Sequence, residues 1–289
     1  MRTSPRLSLN NGVLIHQLGF GLYKVPAADA EGLVATALAA GYRHFDTAAM
    51  YGNETGVARG INSQLGGYAG SGGSGELFPA LSREDVFITT KVWNDHHGYD
   101  ATLRAFDDSM VNLGLDYVDM YLIHWPCARR GLFPDTYRAL ETLYREGKVR
   151  AIGVSNFQPA HLDRLLQSAE VVPAVNQIEL HPWLQQAELR TLHDGLGIRT
   201  EAWSPLGRGQ VLADPVVHAC ASEHGKTPAQ VILRWHMQLG NIAIPKASTE
   251  ARIRENLNIF DFELSDRDMA ALAGLDRGHR TGSHPDHVN

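Results

Sequence analysis

The feature that most constrains the fold is a repeated alternation of short apolar runs with longer helical patterns. Several of the apolar runs are continuous, which is typical of strands that are covered on both faces. The predicted strands are 18–21, 43–46, 86–90, 118–123, 149–154, 174–179, 199–203 and 242–244. The predicted helices are 28–40, 53–65, 100–113, 135–146, 159–167, 186–195, 227–239 and 249–258.

Eight strand–helix repeats of about 30 residues, joined by right-handed crossovers, predict an α/β fold of the (β/α)8 TIM barrel type. An open doubly wound sheet is the alternative. We also expect an N-terminal β-hairpin over 7–15 and a further C-terminal helix capped by Ser265, while Thr227 and Asp100 are predicted N-caps of two barrel helices. No linker interrupts the pattern, so residues 1–289 are predicted to form a single domain.

Composition narrows the class of protein. The 289 residues are 44% hydrophobic, which excludes a disordered chain, and no apolar stretch approaches the length of a spanning helix. The N-terminus has no apolar run of a secretory signal, and Cys127 and Cys220 show no pairing pattern, so a cytoplasmic protein is expected. A net charge of -6 gives no general attraction to nucleic acid or membranes. We expect a monomer with a small-molecule partner.

Four polar side chains follow predicted strands, at the end of a barrel where active sites lie: Asp46, Tyr51, Lys91 and His124. Each alone has a structural explanation, such as a helix cap or a core aromatic. The Lys91 ammonium, however, needs a counter-charge at the end of an apolar strand, and Asp46 is placed to supply it. A nearby cation is expected to lower the pKa of Tyr51 and make it a proton donor. His124 is then placed to donate a hydrogen bond to a carbonyl oxygen.

The sequence has no G-x-G-x-x-G turn after a first strand, where a dinucleotide-binding sheet carries it. A barrel offers another phosphate site, in the loops after its seventh and eighth strands. Here those loops contain Lys246 and Ser248, and Arg252 follows one turn into the next helix. Two cations and a hydroxyl predict a clamp for a 2′-phosphate, hence NADP(H) over NAD(H). The alternative is a solvated basic helix start.

Several stretches along nearly the whole chain resemble the aldo-keto reductase superfamily, namely FDTAAMYGNE, TTKVW, YLIHWP, GVSNF, NQIELHP, AWSPLGRG and IPKAS followed by RIREN. The pattern is similar to the bacterial 2,5-diketo-D-gluconate reductase-like branch, in which a Trp, here Trp203, stands under the nicotinamide. The resemblance implies a barrel that transfers a hydride from NADPH to a small dicarbonyl, aromatic or sugar-derived aldehyde or ketone. It implies Tyr51 as general acid, Lys91 and Asp46 as tuning residues, and His124 as the group that orients the carbonyl.

The resemblance also implies two sets of binding residues. Those expected around the cofactor are Gly21, Leu22, Tyr23, Asp46, Ser155, Asn156, Gln177, Trp203, Ser204, Leu206, Gly207, Ile244, Lys246, Ser248, Arg252, Glu255 and Asn256. Those expected around the substrate are Tyr23, Met50, Tyr51, Trp93, His124 and Trp125. Substrate choice is expected to depend on 126–131 and on the tail 278–289.

Two other functions and a metal site are weaker interpretations. This fold also serves non-catalytic regulatory or structural relatives, and the acidic residues near strand ends allow a hydrolase built on Asp46 and Glu179. We expect no metal, because the histidines lack the spacing of a preorganised site. The Gly-rich stretch 66–75 is expected to be a surface insertion on the face away from the active site.

Overall fold

The computed structural model describes residues 4–65 and 81–289. Two short antiparallel strands, β1 (Arg6–Ser8) and β2 (Leu14–His16), form the expected hairpin, and Gly12 in its turn has φ +83°. Eight parallel strands follow in chain order. They are β3 (Phe20–Gly21), β4 (His44–Asp46), β5 (Phe87–Val92), β6 (Val118–Ile123), β7 (Val149–Ser155), β8 (Val175–Glu179), β9 (Arg199–Trp203) and β10 (Ile242–Ala243).

The eight strands close into a barrel. A parallel bridge joins Leu18, just before β3, to Ala243 in β10, and Gly19 N donates to Ala243 O at 2.9 Å. Gly21 N continues this pairing to Pro245 O at 3.1 Å. A Cβ on Gly21 would lie 2.6 Å from Ile244 O, so only glycine allows this approach. The predicted TIM barrel is confirmed, and the open-sheet alternative is wrong.

Ten α-helices are described: α1 (Ala27–Ala40), α2 (Glu54–Asn62), α3 (Tyr99–Leu113), α4 (Phe133–Arg145), α5 (Pro159–Leu166), α6 (Ala187–Leu196), α7 (Pro215–His224), α8 (Pro228–Gln238), α9 (Glu250–Leu257) and α10 (Asp266–Ala273). The capping boxes that begin at Thr227 and Ser265 are both formed. Asp100 is not a cap, because α3 begins after Gly98. Helix α7 was not predicted, although Asp214 caps it and Gly225 ends it.

The two ends of the barrel differ. At the amino-terminal end, Leu9 and Ile15 of the hairpin region join a buried apolar cluster with Met120, Leu122 and other strand residues. The hairpin therefore covers this end of the barrel. The Gly-rich stretch 66–75 lies outside the described residues. None of the described helices has the length and apolarity needed to cross a membrane.

Candidate active site

Lys91 and Asp46 form a buried ion pair on neighbouring strands. Lys91, in β5, donates from Nζ to Asp46 Oδ1 at 2.6 Å and to Thr47 O at 2.8 Å, and its side chain is fully buried. Gln177, in the middle of β8, donates to the other carboxylate oxygen at 2.7 Å. Burial raises the pKa of Asp46, and Lys91 and Gln177 offset part of that increase. The predicted counter-charge for Lys91 is confirmed.

Tyr51 lies directly over this pair. It ends a short helical turn after β4, Ala49–Tyr51, which Gly52 terminates with φ +64°. The Lys91 ammonium is 5.1 Å from the centroid of the Tyr51 ring. The loop is held by Asn53, which accepts a hydrogen bond from Thr47 Oγ1 and donates to Leu22 O and Val25 O. The hydrogen bonds of Asn53 thus fix the turn that carries Tyr51 at the carboxyl end of the barrel.

The expectation of a lowered Tyr51 pKa is wrong. Burial raises the pKa of its hydroxyl well above the ordinary value, and the negative charge of Asp46 adds to the increase. Lys91 does not reverse this, because its ammonium already faces Asp46 and the Thr47 carbonyl. At neutral pH, Tyr51 therefore keeps its proton.

Tyr51, His124 and three further aromatic rings form one cluster of ring contacts. The His124 ring lies 5.6 Å from the Tyr51 ring and 5.0 Å from the Trp93 ring, and Trp125 is parallel to it at 6.5 Å. Tyr23 lies 5.2 Å from Tyr51. Burial lowers the pKa of His124 well below its ordinary value, and the positive charge of Lys91 adds to the decrease, so the imidazole is neutral. A neutral imidazole can donate one hydrogen bond, and it adds no second positive charge to that of Lys91 at this end of the barrel.

All of the predicted substrate residues except Met50 belong to these ring contacts. Met50 neighbours Tyr51 in sequence and is 42% exposed, as Tyr23 is 41% exposed. Met50 and Tyr23 are thus exposed beside the polar groups of Tyr51 and His124, which is typical of a binding cleft rather than of a closed core.

Ser155, Asn156, Gln177 and Trp203 form one hydrogen-bonded network across three strands. Asn156 has φ +66° and donates to His124 O at 2.9 Å and to Ser155 Oγ at 3.1 Å. Its Oδ1 accepts from Trp203 Nε1 at 2.8 Å, and Ser155 Oγ donates to Gln177 O. The network fixes the plane of the Trp203 indole, which remains partly exposed. It uses both amide protons of Asn156, while Gln177 keeps its Oε1 as an acceptor.

Two further titratable residues lie under the site and were missed by sequence reasoning. Glu201, in β9, is fully buried; its Oε2 accepts from the same Gln177 Nε2 at 3.2 Å, which links it to Asp46. Its Oε1 lies 3.5 Å from His44 Nε2 and has no hydrogen-bond partner. Burial and then the Asp46 charge raise the pKa of Glu201 to about 8, while burial lowers that of His44 to about 3.

The geometry around His44 agrees with this protonation. His44 Nδ1 lies 3.3 Å from His16 O, a pure acceptor, so Nδ1 bears the proton of the neutral ring. The bare Nε2 then faces Glu201 Oε1, and two acceptors would oppose each other unless Glu201 is protonated. Thr89 Oγ1 approaches the same nitrogen at 3.4 Å. Asp46 is therefore the ionised carboxylate beside Lys91, and Glu201 is neutral.

The predicted phosphate clamp is open to solvent. Lys246, Ser248 and Arg252 are exposed, and within 4–65 and 81–289 their side chains have no hydrogen-bond or ion-pair partner. They surround the start of α9, where Thr249 Oγ1 accepts from Arg252 N at 3.4 Å. Two exposed cations and the N-terminus of α9 thus place positive charge together at this surface, on a chain of net negative charge.

The remaining predicted cofactor residues fall into two groups. Gly21, Leu22 and Ile244 are buried at the barrel seam, whereas Ser204, Leu206 and Gly207 form the turn after β9, in which Gly207 N donates to Ser204 O at 2.8 Å. Asn256 is buried in α9. Glu255 is already engaged, since its carboxylate accepts from Thr227 Oγ1 at 2.6 Å at the start of α8. Within the described ranges, no three His, Cys, Asp or Glu side chains cluster as a metal site.

Comparison with known proteins agrees with this geometry. The model of the aldo/keto reductase family matches residues 17–277. The chain belongs to this family. An aldo-keto reductase of Mycolicibacterium smegmatis is 54% identical over 282 residues, which is 98% of this chain and 97% of that protein. The glyoxal reductase of Bacillus subtilis is 48% identical over 283 residues, 98% of this chain and 96% of that protein.

A solved structure extends the similarity to the fold. A mutant of Gox0644 crystallised in complex with NADPH superimposes with a TM-score of 0.91 at 40% identity, covering 100% of both chains. The resemblance inferred from motifs is therefore confirmed as family membership, over nearly the whole chain.

Proposed function

We propose that this protein reduces small aldehydes and ketones to alcohols with NADPH, and that Tyr51 is the general acid. The observation on which this rests is the placement of a protonated Tyr51 over the Lys91–Asp46 pair and beside a neutral His124, at the open end of the barrel. The similarity to a glyoxal reductase and to an NADPH-bound structure supports both the reaction and the cofactor.

The residues fit NADP(H). Lys246 and Arg252 would bind the 2′-phosphate with Ser248, Trp203 would pack against the nicotinamide, and Gln177 Oε1 would accept from its carboxamide. When bound, this cofactor supplies the hydride. Glu255 contributes less than the sequence pattern implies, because Thr227 already occupies its carboxylate.

The chain's own residues then handle the proton. His124 donates a hydrogen bond to the substrate carbonyl and orients it toward Tyr51. As negative charge develops on that oxygen, the Tyr51 hydroxyl gives up its proton, since an alkoxide is a stronger base than even a buried phenolate. The Lys91 ammonium stabilises the phenolate that remains, and Asp46 holds the ammonium in place.

The alternatives have less support. A non-catalytic relative has no need for the paired Lys91 and Asp46 under a tyrosine. A hydrolase requires two available carboxyl groups, yet Asp46 is bonded to Lys91 and Gln177, and Glu179 accepts hydrogen bonds from Thr281 and Gly282.

Replacing Tyr51 with Phe tests the assignment. The variant keeps the ring and removes the acid, so kcat for NADPH oxidation with methylglyoxal or 4-nitrobenzaldehyde should fall by a factor of about 100 or more. NADPH binding, measured by quenching of tryptophan fluorescence, should be unchanged. Turnover near that of the wild type would refute the role of Tyr51.

We further propose a single-domain monomer that works in the cytoplasm. Cys127 and Cys220 are free and buried, which suits a reducing compartment. Sedimentation equilibrium would reveal a dimer if the monomer assignment is wrong.

A further inference from the structure

The C-terminal strap, residues 276–289, crosses the open end of the barrel. It begins against the loop after β8, where Arg277 N and His279 N both donate to Trp183 O. It ends beside the loop after β6, where Arg129 N donates to Asn289 Oδ1 at 3.1 Å. Between these points Asp286 lies 3.6 Å from His161, which follows β7. The strap thus contacts the segments that follow three successive strands, β8, β7 and β6.

One carboxylate holds the middle of the strap. Glu179 Oε1, at the end of β8, accepts from Thr281 N at 2.6 Å, from Thr281 Oγ1 at 2.6 Å and from Gly282 N at 3.1 Å. Arg280 Nη1 lies 3.9 Å from Oε2, and His181 Nε2 lies 3.2 Å from Oε1. Glu179 is fully buried. Although burial alone would raise its pKa, the hydrogen bonds from His181 and Thr281 hold the pKa below the ordinary value.

The anchored segment packs against Trp203. A Cβ on Gly282 would lie 2.4 Å from the tip of the Trp203 indole and 3.2 Å from Glu179 Oε2. The indole cannot easily turn away, because its Nε1 donates to Asn156. Gly282 is therefore confined between the anchor and the indole, and the position of the strap and that of Trp203 are coupled.

We propose that Glu179 is a positioning residue that fixes the strap against Trp203 and thereby sets the size of the substrate cleft. Glu179 takes no part in proton transfer. This inference rests on the proposed carbonyl reduction for its kinetic consequence, whereas the anchor itself is independent of that reaction. A fixed strap should favour small carbonyl compounds over bulky ones. Several hydrogen bonds to one carboxylate hold the strap, so it moves little to admit a larger substrate.

Limited trypsin digestion tests the anchor without cofactor. The Arg280 side chain is 17% exposed, so cleavage after it reports release of the strap. In Glu179→Gln, which keeps the shape and loses the charge, cleavage after Arg280 should be about tenfold faster or more, as followed by mass spectrometry. Ser283→Ala, at an exposed neighbouring position, is the matched control and should be cut at the wild-type rate.

Kinetics test the positioning role. In Glu179→Gln, the ratio of kcat/KM for methylglyoxal to that for 4-nitrobenzaldehyde should fall by a factor of about ten, mainly through KM. Gly282→Ala leaves the carboxylate in place and should shift the same ratio, which covers the case of a poorly folding Glu179 variant. Unchanged cleavage would refute the anchor, and faster cleavage with an unchanged ratio would refute the positioning role. If the wild type oxidises no NADPH, the proposed function fails, and cleavage alone decides on the anchor.

Discussion

Replacing Glu201 with Gln should change how the free energy of unfolding depends on pH. Burial raises the pKa of Glu201 from 4.5 to about 8, and the geometry around His44 agrees with a protonated carboxyl. A carboxyl whose pKa is higher in the folded state stabilises the fold fully below its unfolded pKa. That contribution is lost as pH rises toward the folded pKa.

The size of the effect follows from that difference. Each pKa unit corresponds to about 1.4 kcal/mol, so the wild type should lose about 4 kcal/mol of stability from this group between pH 5 and pH 8. Gln has the shape of the protonated acid and offers an N–H to His44 and an oxygen to Gln177. It cannot ionise, so the variant should not show this loss.

Urea unfolding at pH 5, 6.5 and 8, followed by circular dichroism, measures the difference. Glu201→Gln should be close to the wild type at pH 5 and more stable than it at pH 8. Glu223→Gln, at an exposed glutamate, is the control and should follow the wild type at every pH. Parallel curves for wild type and Glu201→Gln would show that Glu201 is ionised throughout, and the protonation assignment would be wrong.

Three further outcomes are expected. Lys91→Met leaves Asp46 buried without its counter-charge and should lower the free energy of unfolding by about 3–5 kcal/mol at pH 7, measured in urea; a loss below about 1 kcal/mol would contradict the ion pair. Arg252→Ala should raise the Kd of NADPH about tenfold and leave that of NADH unchanged, and equal changes in isothermal titration would refute a phosphate contact. Deleting 67–75 should leave kcat/KM within about threefold, because helix-to-strand loops lie on the face away from the site, and a large loss in a folded variant would contradict that placement.

The fold was predictable because its signal is repeated. Continuous apolar strands and capped helices recur along the chain, and the Thr227 and Ser265 capping boxes are local features that need no tertiary contact. Helix α7 was missed although Asp214, Pro215 and Gly225 give the same kind of local signal. Its apolar residues form no clear stripe, so a search by periodicity passed over it.

The site was predictable where one residue demands another. A buried lysine needs an anion, and this requirement led from Lys91 to Asp46. Glu201 was missed because its partners, His44 and Gln177, come together only when the barrel closes. A signal was present, however, since a charged residue in a strand covered on both faces is buried whichever way it points and needs a polar partner. The sign of the Tyr51 pKa shift depends on burial, which spacing along the sequence does not measure.

The closure of the barrel limits how this protein can be redesigned. Gly21 and Ile244 are expected to contact the cofactor, yet they also lie where the first and last strands of the barrel meet. Libraries that aim to change coenzyme preference should leave both positions constant. A substitution at either one would destabilise the barrel, and an unfolded variant shows no coenzyme preference. Lys246, Ser248 and Arg252 point outward without protein partners among the described residues, so randomising them lets selection act on coenzyme choice alone.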